Sequence, residues 1–560
     1  MTLFDRILEN RGITPEKKAV FLSPNYTAKH DPFLLPDMQA AVDRLVQAHK
    51  KQERITIYGD YDIDGLTATT VLIDALASFG FQHVKAFIPN RFTEGYGLTV
   101  DAIERIATDG ADLILTVDCG SLSHAEITRA GELGVDVIVT DHHNVAPKQP
   151  PAVAVINPKR LLQDFPDEYE GLLLKETSKK KLYPFLDLAG VGVAFKLVQA
   201  LQTKLDGLEE GQEKWLLDLV ALGTVCDVVT LVDENRTNVF WGLKVLAKTR
   251  RQGLKALMAV AGVRPETVNA RSLGFSLGPR MNAAGRLETA RYALDMLTAT
   301  DPMKALELAR KLDEMNQNRR REQDEILKEA IAQAETIDDP VLVVSAPGWN
   351  HGIVGIVAAK LLEKYHKPTF VLAEHGDEAK GSARSYGDFS AADAIRSADH
   401  LITKGGGHKL AAGVTLPVQN IEAFRTQVNN FYRELTLRDQ AALLLPIADT
   451  DATLADLDEA LIDDIAQLEP FGNGNPQPVL RTEAVTILSV KRMGSDGQHI
   501  KLRVDANADG FLDVIAFNAP DYFFVEPTQR VTIWYTPELN EWQGRRTVEG
   551  RLLHLVESEI

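Results

Sequence analysis

Cysteine and long apolar runs are both scarce in this chain. Only Cys119 and Cys226 occur among 560 residues, too few for a disulfide framework and suited to a reducing compartment. No apolar run approaches a membrane span, and Met1 to Arg11 has no signal-peptide pattern, so a cytoplasmic protein without membrane contact is expected. Positive charge is also short: 61 Lys and Arg stand against 79 Asp and Glu, a net −18. That balance excludes a histone-like protein that coats nucleic acid by bulk electrostatics. It leaves room for a local basic groove, or for a site whose positive charge comes from bound metal. At this length one core is not enough, and three or four ordinary globular domains are expected.

The acidic excess has a focus in Ile57-Tyr58-Gly59-Asp60-Tyr61-Asp62-Ile63-Asp64-Gly65. Apolar β-formers run up to three aspartates on alternate positions, which in a strand share one face and converge where the strand ends. Unpaired carboxylates repel one another, and a hard divalent cation is the simplest compensation. Alone, the stretch reads first as a solvated acidic turn. An EF-hand loop does not fit, because the twelfth position counted from Asp60 is Val71 rather than a bidentate Glu.

The flanking pattern places it in a parallel sheet. Strands are expected at Arg54–Tyr58, His83–Ile88, Asp112–Val117, Val135–Thr140 and Ala152–Ile156. Helices are expected at Ala68–Phe79, Val100–Thr108 and Ser123–Leu133. Repeated βα units imply a helix-covered parallel sheet whose ligands bind beyond the strand ends. Three of these strands run into acidic or imidazole residues: Asp60, Asp62 and Asp64, then Asp118, then Asp141-His142-His143. That convergence is hard to ascribe to turn chemistry and reads as a metal site. Mixed imidazole and carboxylate donors suit Mn²⁺ and similar ions better than Ca²⁺, with Mg²⁺ open.

The rest divides by pattern. Beyond Leu186 the chain is mostly helical through Ala261, and Asp301–Glu335 reads as one helix of roughly 34 residues, about 50 Å long, an inter-domain strut. Arg319-Arg320-Arg321 lies within it, either on a solvated face or facing nucleic acid. Pro340 restarts an α/β pattern that reaches the Gly-rich stretch Gly405-Gly406-Gly407-His408, whose backbone amides and imidazole suit an anion; it is no P-loop. From about Leu445 short β-runs follow the turn-rich Glu469–Pro476 and suggest a small barrel. Lys491, Arg492, Lys501, Arg503, Phe517, Trp534 and Trp542 offer charge and stacking faces suited to single strands, although some of the aromatics belong to a barrel core.

Asp-x-Asp-x-Asp-Gly, Val117-Asp118-Cys119-Gly120 and Asp141-His142-His143-Asn144 resemble the first three motifs of the DHH phosphoesterases, and Ala221–Val229, with Asp227, resembles the fourth. Pro89–Phe92 leading into Glu94–Gly97, Leu188–Ala194 and Gly278–Arg286 narrow the resemblance to the RecJ branch, the single-strand-specific 5′→3′ DNA exonucleases. Trp349–Ile353, Gly381–Ser385 and the Gly-rich stretch resemble the DHH-associated domain. Ile63 and Cys226 stand where the family usually has small residues, and Leu161–Lys181 looks like an insertion, read as a solvated surface loop.

The resemblance implies a multidomain α/β chain: a parallel-sheet DHH domain over 1–230, a helical segment and strut over 231–336, a DHH-associated domain over 337–444 and an OB-fold barrel over 445–560. It implies hydrolysis of single-stranded DNA by two Mn²⁺ or Mg²⁺ ions held about 4 Å apart. Asp62, Asp64, Asp118, His142 and Asp227 would be ligands, with Asp60 a further ligand or an orienter of one. Asp62 and Asp118 also count as catalytic, with His143 as acid or phosphate contact. Arg280, Asn282, Ser382, Arg384, Gly406, Gly407 and His408 would hold phosphates, with Arg91 as a further candidate. A monomer is expected, with a single-strand-binding protein among candidate partners. Two alternatives stand beside this: a DHH phosphodiesterase of short oligonucleotides or cyclic dinucleotides, and a non-catalytic DNA-binding scaffold.

Overall fold

β-Branched and aliphatic runs build the first sheet, whose central strands are buried on both faces. The computed structural model describes residues 1–173, 181–435, 443, 445–505, 510–542 and 544–558. Strands β1 (Ile55–Gly59), β2 (Val84–Phe87), β3 (Leu113–Val117), β4 (Asp136–Thr140) and β5 (Ala154–Ile156) are all parallel, in the order β2-β1-β3-β4-β5. Each lies within a residue or two of the expected span. The chain leaves β1 for β2 on one side and returns to β3 on the other, which makes the carboxyl ends of β1 and β3 a switch point, where such sheets bind ligands.

The first helix differs from expectation. It runs from Ile63 to Ser78, five residues earlier than the apolar pattern suggests, because Asp62 caps it by accepting a hydrogen bond from Gly65 N–H (3.0 Å). Residues 63–72 are all buried, so no amphipathic stripe marks the helix start. Asp60, Asp62 and Asp64 therefore do not alternate along a strand. Asp60 follows β1, Asp62 is the cap, and Asp64 sits in the first helical turn.

The segment after Asn157 is not a solvated loop throughout. Leu161–Asp164 and Pro166–Leu173 are helical, and Leu161 and Tyr169 are buried in the first core. Residues 174–180 lie outside the described ones. That core extends through the helices after 231 as far as Met315. The strut is a single 33-residue helix, Pro302–Ala334. Its early residues Ala305, Leu308 and Leu312 pack in the first core, while Ile326 and Ala330 pack against the second sheet.

That sheet comprises β6 (Leu342–Pro347), β7 (Thr369–His375), β8 (Glu378–Arg384), β9 (Lys404–Gly407) and β10 (Ala411–Pro417), ordered β6-β7-β8-β10-β9. The Gly-rich stretch is thus an exposed edge strand rather than a tight turn.

In the C-terminal domain, β12 (Leu480–Met493), β13 (His499–Asp505), β14 (Phe511–Ala516), β15 (Arg530–Trp542) and β16 (Arg545–Glu557) close a five-stranded barrel through the β12–β15 pairing. The two-residue β11 (Thr450–Asp451) flanks β12. The sequence pattern splits β12 into two runs. In the structure it is one strand interrupted at Ala484, whose φ of 56° accompanies an irregularity in its pairing with β15. Leu3, Phe4, Ile7 and Leu8 lie in the barrel's core, so the first residues pack away from the 1–230 unit in which the sequence pattern places them. Among the described residues no helix is long and apolar enough to cross a membrane.

Candidate metal centre

Register builds the centre. Gly59 pairs with Val117, Val117 with Thr140, and Thr140 with Ile156, so the next residue of each strand falls in one row: Asp60, Asp118, Asp141 and Asn157. The ladder continues one step into the row, with Asp118 N–H donating to Thr140 O (2.9 Å) and Asp141 N–H to Ile156 O (3.0 Å). Asp62 and Asp64 reach the row from the helix start, His142 and His143 from the β4 loop, and Asp227 from the end of the Leu217–Cys226 helix.

His142 Nε2 lies 3.1 Å from Asp118 Oδ1, 3.6 Å from Asp227 Oδ2 and 3.8 Å from Asp64 Oδ2. Donor atoms of Asp64, His142 and Asp227 lie within 4.8 Å of one another, as do those of Asp60, Asp62 and Asp118, and those of Asp118, His142 and His143. Asp118 and His142 link these groups into one cluster. Both carboxylate oxygens of Asp118, Asp227 Oδ2, Asp60 Oδ1 and His142 Nε2 are buried without a well-formed hydrogen bond. Burial, then the neighbouring carboxylates, push the Asp60, Asp64 and Asp118 carboxyls well above their ordinary range. Asp227 is pushed up to about 6, by burial and then by Asp62. His142 is pushed down to about 3, chiefly by burial. Buried, unpartnered, acidic oxygens around a neutral imidazole are the donor set of a divalent cation, and the residues fit Mn²⁺ or Mg²⁺.

The supports are built as closely. Gly190 and Val191 N–H groups, at the start of the Gly190–Leu201 helix, each donate to Asp64 (2.6 and 2.9 Å). Only glycine fits at 190, since a Cβ there would lie 2.7 Å from Asp118 Oδ1. The sequence motif Leu188–Ala194 is thus the cradle of two proposed ligands. Cys119 and Cys226 stay out of the cluster: their thiols contact the carbonyls of Val117 (3.4 Å) and Leu273 (3.7 Å).

The two imidazoles differ in setting. The His142 side chain is 8% exposed and its Nε2 faces three carboxylates, whereas that of His143 is 40% exposed. Its Nδ1 lies 2.9 Å from Asp141 and 3.2 Å from Tyr96 OH. Asp141 also accepts from the His142, His143 and Ser121 N–H groups. Burial alone would raise the Asp141 carboxyl, but bonding to His143 and the nearby imidazoles hold it well below its ordinary range. Conversely, burial alone would lower His143, yet Asp141 raises it. The roles of Asp141, Tyr96 and Asn157, whose Nδ2 donates to His143 O (2.9 Å), are not assigned by sequence reasoning. Each does stand in or beside a motif that the sequence singles out.

The expected phosphate residues separate into groups. Arg91 lies over the Tyr61 ring at 4.3 Å, beside the aspartates. Ser382 and Arg384 meet over Gly355, where a Cβ would lie 3.3 Å from Ser382 Oγ and 3.2 Å from Arg384 Nη2. Gly355 is in the first turn of the Val354–Tyr365 helix, so these side chains face a helix N-terminus, a favourable place for an anion. Arg286, missed as a single residue although its motif is quoted, donates to Gly352 O (2.8 Å). Burial, then Arg91, Arg319 and Arg384, push its guanidinium down to about 10. Arg91, Arg319 and Arg384 thus lie near enough to Arg286 for their charges to act on it.

Other expectations fare differently. Arg280 is held by Asp313 (2.8 Å) and Ser276 O (2.7 Å), so its charge is compensated without phosphate. Asn282 lines a separate cavity of about 720 Å³ between the catalytic and barrel domains. Gly406, Gly407 and His408 are exposed on the edge strand and its turn. His408 N–H donates to Ala411 O (2.8 Å), and Ala411 pairs with Arg384, which puts this hairpin beside the Ser382–Arg384 group. Arg319 is buried against Asn316 and Gln323, while Arg320 and Arg321 are exposed.

In the barrel, Lys501 bonds Glu549 (2.8 Å) and Asp513 (3.0 Å), and Arg503 is bidentate to Asp513 (2.7 and 3.0 Å), so both expected phosphate binders are already neutralised. Lys491 and Arg492 are exposed, and Phe517 is 63% exposed against His499. The Trp542 side chain lies outside the described ones.

Known protein families match three stretches of the chain. The DHH family N-terminal domain matches residues 54–224, the DHHA1 domain 338–434, and the RecJ OB domain 448–554. The single-stranded-DNA-specific exonuclease RecJ of Bacillus subtilis is 37% identical over 96% of this chain, which spans 66% of that longer protein. RecJ of Dickeya dadantii is 34% identical over 99% of this chain and 96% of its own. The crystal structure of Thermus thermophilus RecJ in complex with Mn²⁺ superposes with a TM-score of 0.80 at 30% identity, over 100% of this chain and 76% of that one. Its Mg²⁺ complex superposes at 0.75 and 28%. With likeness of this extent across all three domains, the chain belongs to the RecJ family.

Proposed function

We propose that this protein is a metal-dependent exonuclease that hydrolyses single-stranded DNA from its 5′ end, in DNA repair and recombination. One observation carries the proposal: the in-register strand ends gather buried, unpartnered carboxylate oxygens around His142 Nε2. The RecJ relatives are named as single-stranded-DNA-specific exonucleases, and the Thermus thermophilus relative has been crystallised with Mn²⁺ and with Mg²⁺.

Asp62, Asp64, Asp118, His142 and Asp227 would hold the ions, with Asp60 as a further donor. Bound there, two divalent ions acidify water and neutralise charge developing on phosphate. The chain's own residues do the remainder. Gly190 and Val191 N–H groups fix Asp64, and Asp141 ties the β4 loop to the loop after β3 by accepting from the His142, His143 and Ser121 amides. Asp141 also accepts from His143 Nδ1 and favours the imidazolium, whose Nε2–H then faces a phosphate or leaving oxygen as donor. Arg91, Arg286, Ser382 and Arg384 take the strand's terminal phosphates. The barrel grips the trailing strand, a hold that a short oligonucleotide or a cyclic dinucleotide would not require. A monomeric state, a cytoplasmic setting and a single-strand-binding protein as partner belong to the same proposal.

The test is a set of time courses on 5′- and 3′-labelled single strands, duplex and RNA, each with Mn²⁺ or Mg²⁺. Mononucleotide release from the 5′ end of single-stranded DNA is expected. Equal rates on duplex, or degradation from the 3′ end, would overturn the proposal.

A further inference from the structure

The backbone that follows Asp227 is held by a different domain. Val228 has φ +65°, a left-handed conformation that strains a β-branched residue, and its side chain is 65% exposed, so burial does not compensate. What holds it comes from the turn before the barrel. Asn473 Nδ2 donates to Val228 O (2.9 Å), and Leu231 N–H donates to Asn473 O (2.7 Å). The glycines on either side of Asn473 permit this approach: a Cβ on Gly472 would lie 2.7 Å from Leu231, and one on Gly474 3.2 Å from Thr230.

The turn itself is anchored on both sides. Asn475 Nδ2 donates to Leu468 O and Pro470 O (both 2.9 Å), and Arg11, from the N-terminal segment, donates to Asn475 Oδ1 (3.0 Å). Arg236, from the Asp233–Leu246 helix, donates to Glu469 O (2.9 Å) and Pro470 O (3.3 Å). Asn473 is therefore a fixed point, and the 228–231 loop is clamped to it at two places.

We propose that Asn473 is a positioning residue for the metal ligand Asp227: by holding Val228 in its left-handed conformation, the barrel domain sets the direction in which the Asp227 carboxylate faces His142 and the ions. This deepens the proposed function and rests on its reading of Asp227 as a ligand. Metal affinity in this protein depends on docking of the domain that grips the strand, although that domain supplies no ligand.

The test is Mn²⁺ binding to the metal-stripped full chain by calorimetry, alongside the Mn²⁺ dependence of hydrolysis. Losing a group that orients a ligand costs roughly 10–100-fold in metal affinity. Asn473→Ala should weaken Mn²⁺ binding about tenfold and raise the Mn²⁺ needed for half-maximal rate by the same factor. kcat at saturating Mn²⁺ should stay within about twofold. Val228→Asn supplies a residue that adopts φ > 0 readily. In that background Asn473→Ala should cost less than about threefold, a rescue that general loosening of the domain contact would not produce. If Asn473→Ala does not fold, as judged by metal-free thermal unfolding, Asn473→Ser is read in the same way. Unchanged Mn²⁺ affinity, or an equal loss in the Val228→Asn background, would overturn the inference. Calorimetry needs no DNA, so a wild type that binds Mn²⁺ but cleaves no single strand defeats the proposed function instead.

Discussion

Asp141 accepts hydrogen bonds from both the backbone N–H (3.0 Å) and the ring Nδ1 (2.9 Å) of His143, so one carboxylate fixes both the position and the protonation of that imidazole. His142, its neighbour in sequence, has no such partner for Nε2, which points among carboxylates instead. This division of labour is testable. His143→Ala should lower kcat by about 10²–10⁴-fold, the usual worth of a positioned acid, and change Mn²⁺ affinity little. His142→Ala should lose Mn²⁺ affinity. Calorimetric titration of both variants decides, and equal loss of metal in the two would show that the roles are misassigned.

Gly190→Ala tests the cradle. The added Cβ would lie 2.7 Å from Asp118 Oδ1 and 2.8 Å from Asp118 Cβ, and the Gly190 amide would leave Asp64. Hydrolysis should fall by at least the roughly 10–100-fold seen when supports of a metal ligand are removed. Far-ultraviolet circular dichroism should remain that of the wild type. Near-normal cleavage would mean that Asp118 does not depend on this close approach.

Removing a ligand should have opposite effects on activity and on metal-free stability. Asp118→Asn should abolish hydrolysis, because no second carboxylate duplicates its two unpartnered oxygens. In chelator, however, the variant should melt above the wild type, since burial and the Asp64, Asp62 and Asp60 charges all work against ionised Asp118. A lower melting temperature in chelator would contradict the self-repelling cluster.

The same repulsion has a pH signature. Asp227 is pushed from 3.8 up to about 6 in the folded protein, so its contribution is fully present below about pH 4 and is lost as pH rises through 6. Bound cation offsets that loss. The rise in melting temperature on adding Mn²⁺, measured against chelator at each pH, should therefore grow from pH 5 to pH 7. A metal-induced rise that is flat or shrinks over this range would rule the linkage out.

Much of the centre was legible in the sequence because it sits where strong local signals end. Ile55–Gly59, Leu113–Val117 and Asp136–Thr140 are β-branched runs that stop at an acid, and parallel pairing aligns their ends. The start of the first helix was not legible, because a helix buried on all sides carries no stripe. Asp141 could be seen but not assigned, since a carboxylate that binds metal and one that binds histidine look alike without distances. Long-range pairing hid the rest. Nothing near Arg280 marks Asp313 as its partner, and nothing near Leu3 shows that this helix completes a barrel more than 400 residues away. The last proposed ligand in sequence is Asp227, which suggests that the barrel can be removed without touching the centre; Asn473 on Val228 makes that separation incomplete.

The barrel's grip on single strands should follow which of its charges are free. Lys501 and Arg503 are occupied by Glu549 and Asp513, so Lys501→Ala should leave the salt dependence of strand affinity nearly unchanged. Lys491 and Arg492 are exposed and have no carboxylate partner among the described residues, so replacing both with Ala should flatten it, by close to one unit of log–log slope per lost phosphate contact. Phe517, largely exposed against His499, offers a face to a base. Its replacement by Ala should weaken binding by about 1–3 kcal/mol, the worth of one stacked base. Affinity for a long oligonucleotide, measured by fluorescence anisotropy in chelator at several salt concentrations, separates these effects. A slope that responds to Lys501 but not to Lys491 and Arg492 would place the strand on the opposite set of charges.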